Sequence, residues 1–335
     1  MTPDETGLFP TPKRIVVIGD LHGDWGSTLE TYKLASLITL HGKRWVWCGS
    51  PGTVVVQLGD QIDRRSRDET GGDEDSEFRI LKFHENLDSQ ARRTGSRVLS
   101  LLGNHCIQNV RAYLNPESGF AYVSPKGLAH FGGAMQRAHA FKPGNEWANY
   151  LAMHRFTVLK VGPFLFVHGG VTPKIVDKYT IPQINAMVRE YLLGRLPWNA
   201  NLQGLLESND SLLWNRSLAG PRPNVQKLDH CLQKWNCKAV MIGHTPVEKI
   251  STPEGPCRNK IWRVDSGISR AISGGNAPIS RCQALDITFL PQNKVRMIPL
   301  QAGCPEPVTI IIARSPSVER QLSKKPAAVV KGQKP

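Results

Sequence analysis

The segment RIVVIGDLHGD, residues 14–24, decides how this chain is read. Four β-branched residues, 15–18, run without interruption and stop at Gly19. A run of that kind, too short for a helix and ended by glycine, is a strand buried on both faces. The polar turn behind it then lies at the strand's carboxyl end, where open α/β sheets bind their ligands. The pattern returns as VVVQL (54–58) before GDQIDR, VLSLL (98–102) before GNHC, FLFV (Phe164–Val167) before HGG, and AVMI (Ala239–Ile242) before GHTP. Helical periodicity fills the intervals. Residues 28–38 align Leu29, Tyr32, Ala35 and Ile38, and Glu77–Ala91 aligns Ile80, Phe83, Leu87 and Ala91. Residues 225–235 do the same behind Asn224, a suitable N-cap. Strand–turn–helix alternation predicts an α/β or mixed α+β fold.

Further strands are expected at 262–265, 284–289, 295–299 and 308–313. Residues 64–77 (RRSRDETGGDEDSE) gather six acids from Asp68 to Glu77 and read as a surface loop. The chain ends in a basic stretch, 314–335, whose Pro, Lys and Ser content reads as a disordered tail.

Of 335 residues, 40% are hydrophobic and eight are Trp, enough for a buried core and against global disorder, collagen or coiled coil. No stretch approaches the roughly 18–20 apolar residues of a membrane helix. Residues 1–14 hold three prolines and two acids, without the basic start and apolar run of a signal peptide. A cytoplasmic protein is expected. Seven cysteines, an odd number with no CxxC pair, argue against a disulfide scaffold and a cysteine zinc site. The net charge of +14 draws +9 from residues 256–335. Without a nucleic-acid motif beside it, that excess reads as a solvated face and tail, not a nucleic-acid surface.

Chemistry concentrates in the five turns. They carry Asp20 and His22, Asp60 and Asp63, Asn104 and His105, His168, and His244; successive anchors lie 40, 44, 64 and 76 residues apart. A single histidine after a strand is ordinary. Five glycine-flanked turns of this kind, all at strand ends, indicate one metal site. Carboxylate, amide and imidazole without thiolate suit manganese, iron, zinc or cobalt. Two ions about 3.5–4 Å apart need a shared oxygen ligand, which Asp60 could supply.

The set GDLHGD, GDQIDR, GNHC, VHGG and GHTP, over residues 14 to 300, resembles the calcineurin-like metallophosphoesterase superfamily. SLLWNR (211–216) and VDSGISRAISGG (264–275) look like its Shewanella-like protein phosphatase branch. The resemblance implies a sandwich of two central β-sheets flanked by helices, with a dimetal site at the strand ends. It implies an N-terminal extension over 1–13 and a catalytic domain over 14–313, with insertions at 106–163 and 171–238. Asp20 and His22 match the ligands of one metal, Asp60 the bridge, and Asn104, His168 and His244 those of the second. Manganese is the first expectation, iron or zinc the alternatives. His105 matches the general acid, Asp63 its partner, and Arg64 and Arg216 the phosphate contacts. The implied reaction is phosphate monoester hydrolysis, with a metal-bridging hydroxide attacking phosphorus.

Two positions depart from the family pattern. Arg65 stands where the second motif has Gly, and Cys106 where the third has Glu, which puts catalytic efficiency in question. A phosphorylated protein, in particular one bearing phosphotyrosine on neutral or basic flanks, is the expected substrate. Tyr113, Phe120, Tyr122, Trp147 and Trp198 are candidate ring contacts. A dinucleoside polyphosphate or other small-molecule phosphoesterase, and a non-catalytic metal-binding member, are the alternatives.

Overall fold

The computed structural model describes residues 2–65, 72–273, 281–292, 294–301 and 310–311. In chain order the strands are β1 (Leu8–Phe9), β2 (Arg14–Ile18), β3 (Ile38–His41), β4 (Arg44–Trp47), β5 (Thr53–Gln57), β6 (Arg97–Ser100), β7 (Val158–Val161), β8 (Phe164–Val167), β9 (Ala239–Ile242), β10 (Ile261–Arg263), β11 (Gln283–Leu290), β12 (Lys294–Gln301) and β13 (Ile310–Ile311). They form a five-stranded sheet, β1-β7-β8-β9-β10, a six-stranded sheet, β13-β12-β11-β2-β5-β6, and the separate hairpin β3-β4.

The two sheets face each other. Ile15 and Val17 of β2 point inward with Val54 and Val56, against Phe166, Met241 and Trp262 of the opposing sheet. Val16, Ile18 and Val55 point outward under the helices Trp25–Leu34 and Glu77–Ala91. On the other side Leu165, Val167, Val240 and Ile242 lie under Glu146–His154, Ile181–Leu192, Ala200–Leu206 and Val225–Lys234. Both faces of each central strand are thus covered, as their unbroken apolar runs require. The architecture is the expected α/β sandwich of two sheets flanked by helices.

Register places the site. β2, β5 and β6 are parallel, with Ile18 opposite Gln57 and Gln57 opposite Ser100. β8, β9 and β10 are parallel, with Val167 opposite Ile242 and Ile242 opposite Arg263. Six carboxyl ends therefore finish level, three in each sheet, and six polar turns open on one edge of the sandwich.

Some elements differ from the sequence reading. The helix expected over 28–38 is Trp25–Leu34: Asp24 caps it by accepting a hydrogen bond from Ser27 N, and Ser36, at φ 54°, ends the turn before Ile38 enters β3. Residues 1–13 contribute β1, which pairs with β7 at the edge of the five-stranded sheet. The segment 106–163 carries four short helices after Asn104–Arg111, but near its end it also contains β7. Glu77, expected on a surface loop, is buried at the start of its helix, and Asp73 and Asp75 are held by Lys126 and His130. Asp68 and Glu69, and the tail 314–335, lie outside the described residues. Among the described residues no helix is long and apolar enough to cross a membrane.

Candidate metal centre

The five predicted turns meet at the level strand ends. Asp60 is the hub. Its Oδ2 lies 3.2 Å from His168 Nε2, 3.8 Å from His105 Nε2 and 3.9 Å from His22 Nε2. Two triads share it, His22–Asp60–His105 and Asp60–His168–His244, each with ligand-type atoms within 4.8 Å of one another. Asn104 Oδ1 is 2.9 Å from His168 Nε2. Asp20 accepts a hydrogen bond from His244 N at 3.0 Å through Oδ2, and its Oδ1 lies 3.8 Å from His168 Nδ1. All these side chains are buried.

Backbone strain is concentrated here. His22, Asp60, Asp63 and His244 all hold left-handed φ, at 38°, 45°, 70° and 64°. Non-glycine residues avoid that region, and such outliers cluster where a fold over-determines a functional turn. Gly103 and Gly243 serve by lacking a side chain: a Cβ at either would run into a carboxylate oxygen, of Asp60 and Asp20 respectively.

The donor set fits metal ions. Asp20 Oδ1 and His244 Nε2 are buried without a hydrogen-bond partner, which is costly unless something absent from the protein completes them. His22 and His168 turn Nδ1 to the backbone carbonyls of Ile62 (3.2 Å) and Leu58 (2.8 Å), which selects the tautomer whose Nε2 can ligate a metal. Burial, helped by the neighbouring His168, pushes the His244 imidazole down to about 3, so it stays neutral. Burial pushes Asp20 well above the usual carboxylate range, with the Asp265 and Asp60 carboxylates adding to it. At Asp60 burial acts in the same direction, but His168, His105 and His22 outweigh it and hold the group well below that range. A cation among these carboxylates would relieve their mutual repulsion.

His105 differs from the other imidazoles. Its Nδ1 lies 2.6 Å from Asp63 Oδ2, a carboxylate and not a carbonyl. Asp63 Oδ1 in turn accepts from Asn109 Nδ2 at 2.9 Å and lies 3.4 Å from Arg137 Nη2. Arg216 is exposed at the mouth, with Nη1 donating to His244 O (3.0 Å) and Thr245 Oγ1 (2.9 Å). Arg64, the other expected phosphate contact, is fully buried, its Nη2 3.7 Å from Asp24 and 3.8 Å from Glu74. Arg270 closes that cluster from outside, donating to Asp24 from Nε at 2.9 Å. Of the five aromatics singled out, Tyr122 reaches the centre: it is 41% exposed and its ring lies 5.2 Å from that of His105. Phe120 and Trp147 are core, Trp198 packs on Tyr191 and Arg111, and Tyr113 lies under Lys142. Cys106 is a buried thiol, pushed up to about 12 by burial and so unreactive.

Sequence reasoning missed three contributors. Asp265 follows β10 and is buried beside Asp20, with burial raising it to about 6; the Asp–Ser–Gly turn after a strand was the signal. Trp214 sets its ring edge-on to His244 at 5.6 Å. Arg137 sits within a helix, Ala134–Phe141, whose sequence gives no hint of the site.

A sandwich with a two-triad, oxygen- and nitrogen-rich centre at its strand ends is a metal-dependent phosphatase, and the chain belongs to the calcineurin-like phosphoesterase family, whose model matches residues 13–248. It is similar to Shewanella-like protein phosphatase 2 of Arabidopsis thaliana, 28% identical over 80% of this chain and 74% of that one. It is also similar to Shewanella-like protein phosphatase 1 of Plasmodium berghei, 28% identical over 76% and 67%. Among solved structures, a cold-active protein-tyrosine phosphatase of a psychrophilic Shewanella species aligns with a TM-score of 0.68 at 22% identity, over 92% of this chain and 84% of that one. That likeness shows a shared fold.

Proposed function

We propose that the protein hydrolyses phosphate monoesters on phosphorylated proteins, with two metal ions at the Asp60 centre and a preference for phosphotyrosine. The observation that carries this reading is the carboxylate-backed imidazole at the edge of the centre, with His105 Nδ1 2.6 Å from Asp63 and its Nε2 facing Asp60. Asp20 and His22 with Asp60 would hold one ion, and Asp60 with Asn104, His168 and His244 the other. Manganese is the first candidate, iron and zinc the next. When bound, the pair would supply a water ionised near neutral pH and neutralise the phosphoryl oxygens.

The remaining chemistry belongs to the chain. A carboxylate partner stabilises a doubly protonated ring, as a donor to the leaving oxygen requires. The carbonyl-backed His22 and His168 lack that support and serve as metal ligands instead. Arg216 at the mouth would grip the phosphoryl oxygens with a second face of its guanidinium while the first stays on the His244 turn. Arg64, buried with Nη2 beside Asp24 and Glu74, would have to turn outward to reach phosphate. The exposed Tyr122 ring beside His105 offers a platform where an aryl leaving group would lie, which supports phosphotyrosine over phosphoserine. We take residues 14–313 as the catalytic domain. The six described cysteines are free thiols, which accords with a cytoplasmic location.

The test joins metal analysis to kinetics. Two ions per chain are expected in fully active protein. His105→Asn should lower kcat by roughly 10² to 10⁴ for aryl phosphates with poor leaving groups, and far less for good ones. Equal losses across the series would overturn the acid role. On matched peptides kcat/KM should favour phosphotyrosine; dinucleoside polyphosphate turnover far above both would replace this reading.

A further inference from the structure

The Asp63–His105 pair does not stand on its own turn. Asp63 has left-handed backbone and sits in an irregular loop, so its carboxylate needs outside support to keep one oxygen on His105. That support comes from the segment between the third and fourth motifs. Arg137, on the helix Ala134–Phe141, is completely buried, as are Asn109, Glu77 and Asp63. Its guanidinium is used on every side. Nε donates to Asn109 Oδ1 at 2.8 Å, Nη1 to Gly127 O at 3.1 Å, and Nη2 to Glu77 Oε2 at 2.9 Å and Asp63 Oδ1 at 3.4 Å. Asn109 passes the constraint on, donating to Asp63 Oδ1 at 2.9 Å and to His105 O at 3.0 Å. Glu77 Oε1 accepts from the backbone N–H groups of Asp63 (2.9 Å) and Arg64 (3.0 Å), holding the loop itself. The rings of Phe78, Phe120, Phe131 and Phe141 surround the guanidinium at 5.2–5.7 Å and exclude water from it.

We infer that Arg137 is a positioning residue for proton transfer. It occupies Asp63 Oδ1, directly and through Asn109, so that Oδ2 alone faces His105 Nδ1 and the ring is aimed with Nε2 toward the leaving oxygen. The helical segment between the third and fourth motifs is then part of the acid–base machinery. A flat, forked cation suits this position because one group must meet an amide oxygen, a carbonyl and two carboxylates in fixed directions, which an ammonium cannot do. A fully buried arginine placed only for stability would need no contact with the one carboxylate that orients His105.

This inference rests on His105 acting as the proton donor, and the experiment separates the two. kcat/KM is measured for dinitrophenyl, nitrophenyl and phenyl phosphate with the manganese-loaded wild-type protein, His105→Asn and Arg137→Lys. Arg137→Lys is expected to lose about tenfold or more on phenyl phosphate and less than about twofold on the dinitrophenyl ester, with kcat and not KM carrying the loss and metal content unchanged. In metal-free protein the downfield His105 Nδ1–H proton signal should shift or vanish in Arg137→Lys. Glu77→Gln, which removes the anchor of Arg137 without emptying the site, should show the same selective loss in smaller degree and keeps the test decisive if Arg137→Lys does not fold. A selective loss in His105→Asn with a uniform loss, or none, in both other variants overturns the inference alone. No leaving-group dependence in His105→Asn overturns the proton-donor reading beneath it.

Discussion

Replacing Gly103 by Ala should abolish metal binding through one methyl group. Gly103 precedes the helix Asn104–Arg111 with φ −108° and ψ 176°, a conformation alanine adopts freely, so the backbone raises no objection. Space does. A Cβ there would sit 2.6 Å from Asp60 Cγ and closer still to Asp60 Oδ1 and N, whereas ordinary contact begins near 3.4 Å. Asp60 would have to retreat by at least about 0.8 Å, four times or more the roughly 0.2 Å that ligand positions tolerate. Its own backbone is among the obstructing atoms, so a rotamer change cannot relieve the clash. The retreat would also break the 3.1 Å bond from His105 N to Asp60 Oδ1 and take the shared carboxylate away from both triads. The overpacking should cost about 1–3 kcal/mol, toward the upper end because backbone must move. Calorimetric titration with manganese and urea unfolding measure the two effects. Gly204→Ala is the control: it lies within the helix Ala200–Leu206 with nothing within 4 Å of the new methyl, and should gain about 0.5–1 kcal/mol. A Gly103→Ala protein that binds metal with wild-type stoichiometry and affinity would refute the close-approach reasoning.

Asp60→Asn should lose metal and activity together; full activity, or one metal in fully active protein, contradicts a shared ligand. Arg216→Ala should raise KM about tenfold, the worth of one charge-assisted contact, and Arg216→Lys should recover little of it in the same assay. His84 is buried against Tyr32 and Gln61, and burial, with Arg155 adding to it, holds its imidazole well below the ordinary value near 6.5. Below about pH 6.5 the unfolded chain therefore takes up a proton that the folded one refuses, and stability falls by up to about 1.4 kcal/mol per pH unit. His84→Gln should flatten that fall in urea unfolding of metal-free protein between pH 7 and 5; an unchanged slope would mean the imidazole is not held neutral.

The layers and the metal-facing side chains of the site are legible in the residues alone. Unbroken apolar runs need cover on both faces, and a polar turn behind each run marks a carboxyl end; β2, β8 and β9 follow from that rule residue for residue. Three features come from the folded chain and not from any local pattern. Register set Ile18, Gln57 and Ser100 in one row and Val167, Ile242 and Arg263 in another, which is what turns five separated motifs into one centre. The fold buried Arg64 against Asp24 and Glu74, a pairing that joins segments with no common pattern. It also brought Arg137 from a helix 74 residues away to the carboxylate that orients His105. Periodicity records which face of an element is covered, because burial constrains each residue locally. It does not record what covers that face, because a hydrogen bond between distant segments fixes only two residues and leaves no repeat in the chain.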